Sequence, residues 1–271
     1  MNRFTANRAA VAGAVVIVLF VLSALLGPLV VSYDPLEQNL SANYQNGSWG
    51  HPLGTDHLGR DNLSRLIYGA RVSLTISATS VAIGLIVGAI VGLLAAYWGG
   101  LIDKILMRGA DVLLAFPDIL LAIAIVAILG RGVRNTIIAV AIFAVPSFAR
   151  IVRSAALSIV DLDFIHASRA LGASDSRIIA GHVVPNCLSP ILVHTTIMLG
   201  TAILIASGLS FLGLGVQPPD PEWGAMLSKG RELIRSTPVG AVAPGVAITV
   251  VVLSFSMVGD GLRDALDPKS R

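Results

Sequence analysis

Long apolar runs separated by short polar segments dominate the chain. A helix needs about 20 apolar residues to cross the roughly 30 Å hydrocarbon core of a bilayer. Membrane-spanning strands would instead alternate polar and apolar residues over about 10-residue segments, and these runs do not alternate. The pattern predicts an all-α integral membrane protein with about six transmembrane helices. The predicted spans are 9–31, a helix within Val72–Ile102, 105–129, 135–153, 187–214 and 238–260.

The composition supports a membrane protein and argues against a nucleic-acid partner. Of the 271 residues, 55% are hydrophobic and 13% are charged, whereas ordinary chains carry about 25% charged residues. The formal net charge is +3, but Lys and Arg stand singly and form no basic block that would bind nucleic acid. The predicted partner of the apolar surface is the lipid bilayer. The single cysteine, Cys187, excludes an internal disulfide, and we expect it to pack as a small apolar residue.

The first apolar run is predicted to remain in the protein as a transmembrane helix. A basic segment precedes an uncharged run of 25 residues from Ala9 to Tyr33. A cleaved signal peptide has an apolar region of only about 7–15 residues. The length of this run therefore favours an uncleaved first span.

The basic residues predict that both termini are cytoplasmic. With the N-terminus inside, eleven of the nineteen Lys and Arg residues fall in cytoplasmic segments, which are the segments that membrane proteins enrich in these residues. The core contains a cytoplasmic loop, 154–186, and an external loop, 215–237. The predicted segments are a cytoplasmic N-terminus 1–8, the first transmembrane helix 9–31, an external loop 32–71, a five-helix core 72–260 and a cytoplasmic C-terminus 261–271.

The cytoplasmic loop 154–186 is far longer than a bare connection requires. Its apolar residues recur at three- and four-residue steps from Ala155 to Leu171, which predicts a helix with one apolar stripe. Gly172 follows where a left-handed cap would end that helix. Ser174 and Asp175 then provide cap chemistry for a second short helix, and Pro185 and Asn186 are predicted to end the loop.

Two interpretations of this helix pair remain open. An amphipathic pair would lie on the lipid surface, whereas a docking element would meet another protein. The small residues between 167 and 173 favour docking, because they let a partner's groove approach the backbone.

Residues 166–186, HASRALGASDSRIIAGHVVPN, resemble the EAA loop of permease subunits in bacterial ABC importers. His166 stands where that family usually has Glu, and Ser168 stands where it usually has Ala. This puts in doubt a salt link that the Glu would make with the ATPase, but it leaves the small-residue and glycine pattern intact. The positions that fit the loop are Ala167, Gly172, Val183 and Pro185.

Four further segments resemble permeases of peptide and nickel importers, so the resemblance extends from about residue 10 to 268. It is strongest to the C subunit of dipeptide and oligopeptide permeases. The resemblance implies the type I ABC importer permease fold, with a cytoplasmic coupling loop. The segments are HPLGTDHLGRD (51–61), DVLLAFPDILLAIAIVAILG (111–130), SFLGLGVQPPDPEWGAMLSKGR (210–231) and GDGLRDALDP (259–268).

The resemblance implies a non-catalytic subunit that translocates dipeptides or oligopeptides by alternating access in the bacterial cytoplasmic membrane. The implied partners are a second, homologous permease, two ATPase subunits and an extracytoplasmic solute-binding protein. ATP and magnesium would bind to the ATPases, and no cofactor is expected on this chain. The sequence agrees, since it has no phosphate-binding loop of the form G-x-x-x-x-G-K-[ST]. The alternatives are nickel or another small solute as cargo, or, in another class, a secondary transporter.

The coupling loop carries the main predicted site, where the partner ATPase would dock. No catalytic or metal site is expected, because no nucleophile has a catalytic frame and the five histidines lack metal-ligand spacing. The predicted docking residues are His166, Ala167, Ser168, Arg169, Ala170, Leu171 and Gly172.

Two other segments have a structural and a functional interpretation. The external GTDHLGRD motif either fixes the entry to the second span or contacts the binding protein; its residues are Gly54, Thr55, Asp56, Gly59, Arg60 and Asp61. Phe116, Pro117 and Asp118 would kink the third span. Asp118 would then either line the translocation path, as intramembrane acids often do, or cap a helix.

A third pattern, Gly84, Gly88 and Gly92 in the second span, predicts a close helix-packing face.

Overall fold

The computed structural model describes residues 2–235 and 237–266, and this part of the chain is helical without a β-strand. The predicted terminal segments are only partly covered, because Met1 and residues 267–271 lie outside the described residues. A π-helical turn, Ile179–Val183, joins α8 to α9, and Leu40–Ala42 and Arg231–Leu233 are 3-10 turns. The α-helices are α1 Asn2–Ala6, α2 Arg8–Val30, α3 Asn62–Trp98, α4 Gly100–Leu114, α5 Asp118–Leu129, α6 Val133–Val160, α7 Asp163–Ala170, α8 Asp175–Ile178, α9 Val184–Phe211, α10 Trp223–Gly230 and α11 Val239–Leu266.

Five helical segments of the described chain are long and apolar enough to cross a membrane, and the bent pair α4–α5 makes a sixth. The predicted all-α membrane protein of about six spans is therefore confirmed. Asn7 Nδ2 lies 3.5 Å from Asp264 Oδ2, which places the start of α2 beside the end of α11. We call this end of the bundle the N-terminal face, and the end that carries residues 31–61 the opposite face.

The second span begins ten residues before its predicted boundary at 72. Asp61 caps α3 by accepting a 2.7 Å hydrogen bond from the Ser64 amide, so residues 62–71 belong to the helix and the predicted external loop 32–71 ends at 61. With 37 residues, α3 is about 55 Å long and extends past the hydrocarbon core. Arg65 and Arg71 interrupt the apolar run before residue 72, so hydropathy alone does not predict this extension of the helix.

The third predicted span is not one helix, since α4 and α5 meet at an angle of 93°. Pro117 has no N–H for the carbonyl of Leu113, and it disfavours helical geometry at Phe116. Helix α4 also begins at Gly100, five residues before the predicted start at 105.

Helices α3 and α6 pack closely along the predicted glycine face. A Cβ built on Gly84 would lie 2.5 Å from Ala144 Cβ, and one on Gly88 would lie 2.6 Å from Phe148 Cβ. Gly92 is equally close to the α6 backbone, at 2.5 Å from the carbonyl oxygen of Ala149. The packing interpretation is therefore confirmed, and the contact lies within this chain.

The predicted external loop 215–237 contains α10, which is packed into the bundle. Trp223 is fully buried against Phe20, with ring centroids 5.6 Å apart, and its Nε1 donates to the Leu66 carbonyl. The carboxylate of Glu222, also fully buried, caps α10 at the Ala225 amide. It also accepts hydrogen bonds from the hydroxyls of Ser73 in α3 and Ser207 in α9.

Candidate functional site

The predicted docking segment starts after a break that the sequence pattern did not reveal. A single helix was expected from 155 to 171, but α6 ends at Val160 and α7 begins at Asp163. Leu162 is extended, with φ −77° and ψ 145°, and turns the chain between the two helices. The predicted loop 154–186 therefore contributes its first seven residues to α6.

Gly172 ends α7 in the left-handed region, with φ +85°. Its amide donates a 3.0 Å hydrogen bond to the Arg169 carbonyl, which closes the last turn. A Cβ built on Gly172 would meet no atom within 4 Å. Backbone conformation, and not packing within this chain, therefore accounts for glycine at this position.

The chain after the glycine is helical from Asp175 onward, so Pro185 does not end a loop as predicted. Helix α8, the π-helical turn and α9 run continuously, and Pro185 lies in the first turn of α9. The π-helical turn Ile179–Val183 stands directly before Pro185, which has no N–H to donate to the preceding turn.

The docking segment is anchored to three spans by buried apolar side chains. Ile165 of α7 and Ile178 of α8 are both fully buried, in a cluster with Ala96 of α3, Ala156 of α6 and Cys187 of α9. Cys187 packs as a small apolar residue, as predicted. Burying an isoleucine side chain contributes about 1.5–3 kcal/mol, so both short helices are held against the ends of the spans.

A polar contact reinforces this anchor at the end of α3. The Tyr97 hydroxyl donates to Asp175 Oδ1 and accepts a 3.0 Å hydrogen bond from Arg169 Nη2. The guanidinium of Arg169 also lies 5.4 Å from the centre of the Tyr97 ring. One tyrosine therefore ties α7 and α8 to the N-terminal face of the bundle.

The remaining residues of the predicted docking segment face outward. Ser168 is half-buried, and its hydroxyl donates to the Phe164 carbonyl at 2.7 Å. Leu171, at the tip, is 89% exposed. The segment thus combines a base that is buried against three spans with an exposed apolar tip. The exposed members of the segment are His166, Ala167, Arg169, Ala170, Leu171 and Gly172.

The predicted kink residues lie apart from this segment, at the break between α4 and α5. Phe116, Pro117 and Asp118 are all exposed in the described chain, Phe116 at 53%. Asp118 occupies the first turn of α5, and Pro117 at the cap position forms no side-chain capping bond. Neighbouring Ile119 contacts Gly208 of α9, so the break stands beside the end of α9 near the opposite face.

The external motif folds into a compact loop whose glycines are required by their backbone. Gly54 and Gly59 have φ of +67° and +71°. A Cβ on Gly54 would lie 2.2 Å from the Gln45 carbonyl oxygen, and one on Gly59 would clash with that of Asn39. Two segments of the loop therefore pass close to each other at these positions.

Asp56 is the electrostatic centre of this loop. Burial alone would raise its pKa, but hydrogen bonds from the Arg60 side chain and from the amides of Leu58 and Arg60 hold the pKa below its ordinary value. Arg60 Nη2 lies 2.7 Å from the carboxylate, and Arg65 Nε lies 3.5 Å from it. Burial also lowers the pKa of the adjacent His57.

Thr55 and Asp61 complete the loop. The Thr55 hydroxyl donates to the Ala42 carbonyl and accepts from the Gln45 amide. Asp61 caps α3 and lies 2.9 Å from the His51 ring. Thr55, Arg60 and Asp61 are at most 4% exposed. Contacts within the loop therefore account for these residues, which favours the structural interpretation of the motif.

A cavity of about 340 Å³ lies between this loop and α10. Its wall carries three cationic and three acidic side chains, so it has no marked preference for one sign of charge. They are Arg60, Arg65, Lys229, Asp56, Asp220 and Glu232. Among the described residues, no three His, Cys, Asp or Glu side chains converge on a position for a metal ion.

Sequence reasoning missed two ion pairs that connect α4 to α6. Arg153 donates two hydrogen bonds to the carboxylate of Asp103, at 2.5 and 2.6 Å, and Arg150 Nη2 lies 2.6 Å from Asp111 Oδ1. Opposite charges on, or just before, neighbouring predicted spans were the available signal. The pairs fix α4 beside the half of α6 that leads to the docking segment.

Comparison with known families decides which protein family has this arrangement. Residues 72–271 match the family described as "Binding-protein-dependent transport system inner membrane component", and residues 1–46 match the "N-terminal TM domain of oligopeptide transport permease C". The chain belongs to this permease family. It is thus a multi-pass inner-membrane permease component of an ABC transport system, and the ATPase is a separate subunit. The resemblance to permease subunits of peptide importers is confirmed.

Relatives of the permease match over nearly its whole length. The dipeptide transport system permease protein DppC of Alkalihalophilus pseudofirmus is 49% identical over 98% of this chain and 87% of that protein. The di/tripeptide permease DppC of Pseudomonas aeruginosa is 46% identical over 98% and 90%. The glutathione permease GsiD of Pectobacterium atrosepticum is 44% identical over 99% and 89%.

Solved structures share the fold of the permease. An inward-facing MetNI methionine ABC transporter chain aligns with a TM-score of 0.61 and 22% identity, covering 76% of this chain and 97% of that chain. A chain of an amino acid ABC transporter aligns with a TM-score of 0.58 and 17% identity, covering 75% and 95%.

Proposed function

We propose that this permease translocates dipeptides or oligopeptides into the cell and is driven by partner ATPases that dock at the α7–Gly172 segment. Permeases named for dipeptides, di/tripeptides and glutathione are 44–49% identical to it over at least 98% of its length. Glutathione is itself a tripeptide, so these cargoes form one chemical class of short peptides.

The observation that carries the coupling proposal is the contrast between the base and the tip of the segment. Leu171 is 89% exposed, whereas Ile165 and Ile178 are fully buried against α3, α6 and α9. Because packed protein interiors transmit strain, a displacement of the tip would move the ends of three spans together. ATP and magnesium would bind to the ATPase subunits. This chain would convert the closure of those subunits into alternating access.

This proposal assigns the N-terminal face, with both termini and the docking segment, to the cytoplasm. The excess of Lys and Arg in the segments at that face supports this orientation. The opposite face would then receive cargo from an extracytoplasmic solute-binding protein. The external motif (Gly54 to Asp61) would serve this face by holding the loop in shape.

The break at 115–117 supports a translocation path between this permease and a second, homologous one. Non-helical backbone at membrane depth is tolerated where it is buried in protein or lines a water-filled cavity. Phe116, Pro117 and Asp118 are exposed in this chain alone, so a partner permease or the path itself would cover them. Asp118 would be the acidic group of that path.

Co-purification tests the composition of the complex. The chain is tagged, extracted in mild detergent from its native host, and its partners are identified by mass spectrometry. A second permease and one or two ATPases are expected. Recovery of the chain alone, with no second permease and no ATPase even after crosslinking, would contradict this composition.

A matched pair of glycines tests the docking segment. Gly172 and Gly213 both follow a helix end, with φ of +85° and +77°, and a Cβ on either meets no atom within 4 Å. Asn tolerates this conformation, so Gly172→Asn and Gly213→Asn should lower stability equally and only slightly. Only Gly172→Asn should reduce ATP-driven uptake, because it adds bulk to the docking tip.

Uptake into proteoliposomes tests the cargo. The reconstituted complex, with ATP inside the vesicles, is offered labelled dipeptides, longer peptides, glutathione or nickel in the presence of its binding protein. Short peptides should accumulate only with ATP. Accumulation of nickel alone would contradict the peptide assignment while leaving the coupling mechanism intact.

A further inference from the structure

Trp49 lies at the tip of the external loop and is completely exposed, with a relative accessibility of 104%. The tip is a closed turn, because the Ser48 amide donates to the His51 carbonyl at 2.9 Å and the His51 amide donates to the Ser48 hydroxyl at 3.1 Å. His51 in turn lies 2.9 Å from Asp61, the cap of α3. The indole is therefore presented on a fixed turn.

The turn is attached to the end of the first span. The His51 ring contacts the Tyr33 ring, with centroids 4.6 Å apart and an interplanar angle of 32°, and a Cβ on Gly50 would lie 3.6 Å from the Tyr33 hydroxyl. Tyr33 is only three residues past the end of α2 at Val30. Trp49 therefore lies close to the level at which α2 ends.

That level coincides with a membrane boundary. Helix α2 has 23 residues and is about 34 Å long, slightly more than the roughly 30 Å hydrocarbon core. Leu29 and Val30 at its end are 83% and 71% exposed, as apolar side chains in contact with lipid would be. Residues just beyond them stand at the depth of the lipid headgroups.

The chemistry of the turn fits the headgroup region. Residues 43–55 contain no Asp, Glu, Lys or Arg, and they include Tyr44 as well as Trp49. Tryptophan and tyrosine are enriched where a membrane meets water, because their rings are apolar at one end and polar at the other. A turn that served mainly to attract a charged protein surface would be expected to carry charge.

We infer that the Ser48–His51 turn rests on the adjacent leaflet and that Trp49 inserts its indole among the lipid headgroups, fixing the external loop at the mouth of the permease. The inference rests on the position of α2 in the membrane, and it holds for either orientation and any cargo. A solute-binding protein is the competing partner for the same side chain.

Depth-dependent fluorescence quenching tests the inference. The full transporter is reconstituted with phosphatidylcholine that is brominated either near the glycerol backbone or near the methyl end of its chains. The sequence has three tryptophans, so the emission of Trp49 is taken as the difference between the native protein and Trp49→Phe. Trp98→Phe, at the N-terminal face, is the matched control.

The difference emission should be quenched strongly by bromine near the glycerol backbone and weakly by bromine near the chain ends, and it should resist aqueous iodide. Full quenching by iodide with no effect of either brominated lipid would overturn the inference. It would also be overturned if lipid has no effect but addition of the purified solute-binding protein protects Trp49 from iodide.

Discussion

The exposed tip of the docking segment allows a prediction with a calculable magnitude. Leu171→Ala removes three carbon atoms from a side chain that is 89% exposed in this chain. If a partner ATPase covers the side chain, each lost carbon weakens binding by roughly 0.8 kcal/mol. The expected loss is about 2 kcal/mol, equivalent to a roughly thirtyfold weaker affinity for the ATPase.

The chain provides a matched control at the other end of the bundle. Leu212 precedes Gly213 as Leu171 precedes Gly172, and it is 54% exposed. Neither substitution removes a buried contact, so the stability of both variants should remain within about 0.5 kcal/mol of the native protein. Only Leu171→Ala should weaken ATPase binding.

Binding is measured by titrating purified ATPase onto the permease pair in nanodiscs, and uptake is measured with the same preparations. Equal affinities for the native protein, Leu171→Ala and Leu212→Ala would refute the reasoning. A loss of ATPase affinity in both variants would also refute it, since Leu212 lies on the opposite face.

Three further predictions concern the elements that support the site. Gly88→Ala should destabilise the protein by about 1–3 kcal/mol, because the added methyl group overpacks against α6. Gly109→Ala should not destabilise it, because a Cβ at position 109 meets no atom within 4 Å, so equal melting temperatures of the two variants in detergent would contradict the prediction. Asp103→Asn should loosen α4 from α6 at a cost of about 1–2 kcal/mol, and it should increase hydrogen exchange in α4 selectively. Because hydrogen bonds hold the pKa of Asp56 below its ordinary value in the folded protein, the stabilisation is fully present above the unfolded pKa of about 3.9 and is lost as pH falls through the folded pKa. The melting temperature of Asp56→Asn should therefore depend less on pH in that range than that of the native protein.

The sequence predicted well those features that depend on apolar length and on glycine. The number of spans followed from run length, and the face formed by Gly84, Gly88 and Gly92 followed from its four-residue spacing. Gly172 was singled out by its place after an apolar stripe, and its left-handed conformation is what that place requires.

Features that depend on tertiary contacts could not be predicted in the same way. The 93° bend at Pro117 is set by the packing of α5 against α6 and α9, whereas a proline alone indicates only a kink. Helix α10 looked like an external loop because residues 215–237 separate two apolar spans. The buried Glu222 before it is tolerated because two serine hydroxyls and an amide donate hydrogen bonds to its carboxyl oxygens. The ten extra residues of α3 include Arg65, whose contacts with Asp56 and with the Pro35 carbonyl cannot be inferred from hydropathy.

Site-specific photo-crosslinking tests the central claim most directly. A photoreactive phenylalanine analogue replaces Leu171 or, as the control, Leu212, and the assembled transporter is irradiated in membranes of its host. The proposed coupling predicts a crosslink from position 171 to the ATPase subunit and none from position 212. Crosslinks from position 171 to lipid alone would contradict it, and would show that α7 lies on the membrane surface instead.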